Sequence, residues 1–175
     1  RIQIIPPVVS DWLDKSKIDL LHSRGIIFDD ISNPTLLTFL SSQSNDDIAS
    51  KFTSVDSILQ QYFKILLERE QERQSLPLKV DEQLSLMESV AGTMASFKQS
   101  TCTSVEIKDI IRMSLGEDIL EYLDRYSDFS KEDVPTEDEF LQKLSHHALL
   151  DRIPNTSNSI GFINDFIFGY LISEA

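Results

Sequence analysis

The closing segment, Phe140 to Ala175, narrows the possible folds more than any other stretch of the chain. It begins with helical spacing at Phe140, Leu141 and Leu144 and passes through Ala148-Leu149-Leu150 into Asp151-Arg152-Ile153. Pro154-Asn155-Thr156-Ser157-Asn158 then brings turn chemistry, and Ser159-Ile160-Gly161-Phe162-Ile163 returns to apolar character. Two short apolar runs on either side of a Pro/Asn/Ser cluster read as a β-hairpin. A second helix comes next, from Asn164 to about Ser173.

Helix, hairpin and closing helix together read as the back half of a winged-helix unit. The expected fold class is mostly α: a small helical bundle followed by a winged-helix domain with a short β-hairpin. Arg1-Ile2-Gln3-Ile4-Ile5 reads as a strand with no nearby partner, ended by Pro6-Pro7. A strand needs a sheet, so residues 1–9 are expected to be the end of a sheet that lies upstream in a longer polypeptide. Residues 10–76 form the expected helical domain. Ser10 and Asp11 can cap a short helix carrying Trp12 and Leu13, with Ile18, Leu20 and Leu21 on its apolar face and Gly25 as its stop. In Ser32-Asn33-Pro34-Thr35-Leu36-Leu37-Thr38, proline fits a first helical turn, with Ser32 or Asn33 as cap. Ser41 to Asp47 reads as a polar loop. The clearest helix spans 54–74, with Val55, Ile58, Leu59, Tyr62, Phe63, Leu66 and Leu67 at three- and four-residue spacing. Its tail, Glu68 to Arg73, reads as solvated charge.

Pro77 breaks that pattern, so the internal boundary falls at 75–78 and residues 77–175 form the expected winged-helix domain. Its first helix, about 80–98, should bury Val80, Leu84, Met87, Ala91, Met94 and Phe97. Thr103-Ser104-Val105-Glu106 and Thr136-Glu137-Asp138-Glu139 both have capping-box spacing. Between them, Gly116 separates a helix with Ile107, Ile110 and Ile111 from one with Ile119, Leu120, Leu123 and Tyr126. Ser127 to Pro135 reads as an acidic loop.

Composition removes several functions. Sixteen Lys and Arg against twenty-nine Asp and Glu leave a net charge of −13, a field that repels phosphate backbones and anionic lipid. The candidate recognition helix begins Glu137-Asp138-Glu139 and offers only Lys143 in its body, which argues against nucleic acid as a partner. Cys102 is the sole cysteine, so no intramolecular disulfide or cysteine-rich zinc site can form. Adjacent helical residues point about 100° apart, so His146 and His147 cannot share a metal as an i, i+4 pair does. His22 stands alone. No nucleophile elbow, phosphate-cradling GxxxxGK[ST] or HExxH occurs. The paired acids Asp29-Asp30 and Asp46-Asp47 read as solvated turn residues. No apolar run approaches membrane-spanning length, and a cytoplasmic location is expected. Catalysis by these residues alone is not expected, and no metal site is.

The order strand, Pro-Pro, short helix, Asn-Pro-Thr-Leu-Leu-Thr, long helix and winged helix resembles the region after the nucleotide-binding core in NACHT-type STAND NTPases. Asn33-Pro34-Thr35-Leu36-Leu37-Thr38 is similar to the family's asparagine-proline-leucine-leucine helix start. Phe162-Ile163-Asn164-Asp165-Phe166-Ile167-Phe168-Gly169-Tyr170-Leu171 resembles its phenylalanine-x-histidine pattern, with an aromatic-leucine pair further on. The resemblance implies that Asn33 and Pro34 lie at bound ADP or ATP, with Pro34 against the adenine. It also implies that the residue at Asn164 reaches the β-phosphate in the closed state. Asparagine replaces histidine there and carries no positive charge. Its amide can donate to phosphate, or Asn164 can simply cap the closing helix. The P-loop, the Mg²⁺-binding acids and the sensor arginine would lie upstream, and Mg²⁺ only in that parent. The implied function is a nucleotide-dependent switch of activation and oligomerisation. Its partners would be the upstream nucleotide-binding domain and, on activation, further copies of the parent. Defence signalling is a common setting for such parents. Two rival readings are an acidic helical protein–protein interaction module and a winged-helix nucleic-acid binder.

Overall fold

The computed structural model describes residues 7–129, 134–153 and 159–174. The strand expected at Arg1–Ile5 and the turn at Pro154–Asn158 lie outside them. The chain divides into two compact units, Arg1–Ile65 and Leu66–Ala175.

In the first unit a 3-10 turn, Val9–Asp11, precedes α1 (Lys15–Ser23). Trp12 therefore stands between two elements rather than on a helix. The cap of α1 is Asp14, whose carboxylate accepts the Lys17 N–H at 3.0 Å. Gly25, at φ +74°, provides the left-handed turn that ends the segment. Then come α2 (Phe28–Ile31), α3 (Pro34–Ser42) and α4 (Asn45–Lys51). The expected polar loop at Ser41–Asp47 is instead a helix end, a two-residue break and a helix start. Ser44 Oγ caps the second helix by accepting the Asp47 N–H at 3.1 Å, and Ile48 anchors it with complete burial. Leu21, Ile31, Leu36, Leu37, Leu40 and Phe52 share the core with Ile58 and Phe63 from α5 (Val55–Gln74). Phe39 meets Tyr62 edge-on at 5.5 Å.

The two units divide inside α5, between Ile65 and Leu66, rather than at the 75–78 break. The C-terminal half of α5 belongs with the downstream residues because its polar groups are satisfied there: Gln83 donates to the Leu67 carbonyl, and Glu70 accepts the Ala148 N–H. Ser75 takes φ +51° after the helix, and Leu76, Pro77 and Leu78 are buried.

The second unit continues with α6 (Val80–Ser96), β1 (Thr101–Thr103), α7 (Ser104–Leu115), α8 (Asp118–Phe129), α9 (Glu137–Leu144), β2 (Leu150–Arg152), β3 (Ser159–Phe162) and α10 (Asp165–Glu174). The strands form an antiparallel sheet in the order β1-β3-β2, with Thr101 opposite Gly161 and Leu150 opposite Phe162. A first strand between two helices, pairing with the second arm of a later hairpin, is the winged-helix topology, with α8 as an added helix. β1 is too short to carry a visible alternation and was not legible in the sequence. On α6 the buried face is Gln83, Leu86, Met87, Val90, Ala91 and Met94. Val80 and Leu84 are only half-buried, and Phe97 is exposed, because the face rotates to bring Gln83 inward to hydrogen-bond partners. Leu120 also points outward. Both capping boxes form, at Thr103 and Thr136, and Gly116 ends α7 at φ +55°. Helix α8 extends through Phe129 into the segment expected to be an acidic loop.

Candidate functional site

Asn33 and Pro34 stand together at the head of α3 in the first unit. The Asn33 side-chain oxygen accepts the Thr35 N–H at 2.9 Å, and its carbonyl accepts the Leu37 N–H at 2.9 Å. Pro34 occupies the first helical position, where its missing N–H has no consequence. Its ring is exposed while Leu36 and Leu37 behind it are fully buried. The Asn-Pro-Thr-Leu-Leu-Thr stretch is therefore a capped start that turns two leucines inward and presents a rigid apolar ring outward.

Asn164 belongs to the second unit, immediately before α10. Its side-chain oxygen accepts the Ile167 N–H at 2.9 Å, and its carbonyl accepts the Phe168 N–H at 3.2 Å. That oxygen caps the helix. A phosphate contact would have to use the amide nitrogen as donor.

A buried group of titratable side chains lies elsewhere in the second unit, and the sequence did not reveal it. Glu70, read as solvated charge, is 1% exposed. Its Oε1 accepts from the Arg73 guanidinium at 2.8 Å, from the Ala148 N–H at 2.9 Å and from the Gln74 amide, while its Oε2 accepts Arg73 Nε–H at 2.8 Å. Burial pushes the Glu70 carboxyl up, but the Arg73 and Gln74 hydrogen bonds outweigh it and hold the group below the usual carboxylate range. His147, 1% exposed, completes the group. Its Nδ1 accepts the Leu149 N–H at 3.2 Å, so the ring proton sits on Nε2, which faces Gln83 Oε1 at 3.1 Å. The Gln83 amide nitrogen in turn donates to the Leu67 and Leu78 carbonyls. Burial pushes His147 down to about 4, against an upward pull from Glu70, so the ring is neutral near pH 7. The one available signal was spacing: Glu70, Arg73 and Gln74 fall at i, i+3 and i+4 on one helical face.

This group ties α5, α6 and the turn before β2 together, with both His147 ring nitrogens and both Glu70 oxygens engaged in hydrogen bonds. The arrangement at His146 and His147 is one exposed ring and one buried ring. Cys102 is buried, and burial together with the Glu106 charge pushes its thiol up, away from the reactive thiolate. No group of metal-ligating side chains occurs among the described residues. No family model, curated protein or solved structure matches the chain. No helix among the described residues is long and apolar enough to cross a membrane.

The helix in the recognition position, α9, carries Glu137, Asp138 and Glu139 in its first turn. Cations of α7 answer two of them: Lys108 Nζ lies 2.7 Å from Asp138, and Arg112 Nε 2.8 Å from Glu137. Two of the cations nearest this helix are thereby committed within the fold.

Proposed function

We propose that this chain is the regulatory helical and winged-helix part of a NACHT-type STAND NTPase. It closes over ADP or ATP held by an upstream nucleotide-binding core and controls activation and oligomerisation. One arrangement supports the reading above the others: an exposed proline at the first position of a capped helix, in a helical unit followed by a winged-helix unit. The acid-headed α9, ion-paired to α7, supports a regulatory winged helix over a nucleic-acid reader. On this reading Mg²⁺ and the hydrolytic groups belong to the core, and the residues described here contribute a differential contact between two states of the switch.

The decisive experiment uses the polypeptide that carries the upstream core. Pro34→Ala should lower the amount of ADP that co-purifies, measured by chromatography of the heat-released nucleotide. Unchanged ADP removes Pro34 from the site, and the lack of a phosphate-binding loop upstream removes the family reading. The chain alone should show no ATP turnover after thorough purification. A second reading, an acidic protein-interaction module, is favoured by the large apolar side chains left exposed at Phe97 and Met113.

A further inference from the structure

Helix α7 carries Glu106, Asp109, Ile110 and Met113 at i, i+3, i+4 and i+7, a single stripe along one face. Phe97, at the end of α6, stands across from it, and with Gln99 these residues line a groove of about 350 Å³. Ile110 forms the floor at 7% exposure, whereas Phe97 and Met113 are 65% and 74% exposed. The corner that positions Phe97 is well fixed. Lys98 takes φ +56°, its N–H donates to the Ala95 carbonyl at 2.9 Å, and the Gln99 N–H donates to the Met94 carbonyl at 2.9 Å. Single exposed apolar side chains are ordinary; here two of them flank one groove over an apolar floor.

The charge around the groove indicates what it would accept. Glu106 and Asp109 line it, and the backbone and hydroxyl hydrogen bonds from Thr103 hold the Glu106 carboxyl below its ordinary range, so it stays ionised. Arg112 is divided between Asp109 at 3.1 Å and Glu137 at 2.8 Å, and Lys108 is taken by Asp138. Even with Lys98 at the corner, carboxylates outnumber cations here, as they do over the whole chain at net −13.

We propose that this groove docks a short amphipathic segment of a partner protein, with apolar anchors seated over Ile110 between Phe97 and Met113, and flanking Lys or Arg beside Glu106 and Asp109. A second copy of the chain fits poorly, because it would bring a like-charged body to an acidic rim. A groove lined by so few residues also falls well short of the roughly 800 Å² per partner of a standard stable interface. The proposal is independent of the nucleotide reading and stands or falls separately.

The test uses the full polypeptide and two synthetic peptides with leucines at helical i, i+3, i+4 and i+7 spacing, one filled with lysine and the other with glutamate. Labelling the methionine methyl groups with ¹³C gives a direct reporter, since Met87 and Met94 are buried and Met113 is exposed. The lysine peptide should shift the Met113 methyl signal saturably and leave those of Met87 and Met94 in place, and the glutamate peptide should do neither. Phe97→Ser should weaken the lysine peptide by about tenfold or more, and Met113→Gln should do the same in a fluorescence-anisotropy titration. Equal binding of both peptides, or undiminished binding by both variants, overturns the proposal. So does a Met113 signal that shifts with protein concentration alone, since that assigns the face to a second copy.

Discussion

His147 illustrates how a single side chain couples stability to pH. In the unfolded chain its ring titrates near 6.5; in the fold burial lowers that value to about 4. Between the two values the unfolded state binds more protons, so the stability from the neutral ring is fully present above about 6.5 and is lost as pH falls towards 4. The full effect is of order 3 kcal/mol. Glu70, also depressed, loses its contribution in the same direction on further acidification. Urea midpoints measured across this range should fall with pH, and His147→Asn should flatten the upper part of the slope; an unchanged slope would remove His147 as the titrating group. Gln83→Leu should cost about 1–3 kcal/mol, because it leaves the His147 Nε2–H and two carbonyls without their partner. Asn164→Asp separates two roles. It keeps the oxygen that caps α10 but replaces the amide donor with a negative charge. Under the proposed function, the parent's retained ADP should drop; retained ADP at the normal level removes Asn164 from the nucleotide site.

At the scale of elements, short signals set the boundaries. Thr103 and Thr136 each accept the N–H three residues ahead while Glu106 and Glu139 bond back to them. Thr136→Ala should destabilise the second unit by about 1 kcal/mol, measured by thermal unfolding. The sheet depends on one close approach. A Cβ at Gly161 would lie 2.8 Å from the Ser100 carbonyl oxygen, a backbone atom that cannot rotate away. Gly161→Ala should therefore cost about 1–3 kcal/mol and weaken amide-exchange protection at Thr101 and Thr103 first; protection equal to that of the parent protein would show that β1 adjusts freely. The sequence showed both capping boxes and the hairpin arms because those signals are local. It did not show β1, whose three residues gain strand character only by pairing with β3.

For the whole molecule the governing quantity is the surplus of carboxylates. At net −13 the like charges repel one another, so the melting temperature should rise between about 0.02 M and about 0.5 M NaCl as screening shortens their reach. A falling melting temperature would mean that the exposed ion pairs, such as Arg112 with Glu137, outweigh the repulsion, contrary to their usual small worth. The helix-rich class, a capped start at Ser32 or Asn33 and another at Thr136, the breaks at Gly25 and Gly116 and the acidic head of the recognition-position helix were all written in the sequence, because each rests on local geometry or summed charge. Tertiary structure alone decided which carboxylate of the Glu68–Arg73 tail is buried, which face of α6 turns inward, and that the compact units divide inside α5. Those outcomes depend on partners far along the chain, Ala148 for Glu70 and His147 for Gln83, which no local pattern can encode.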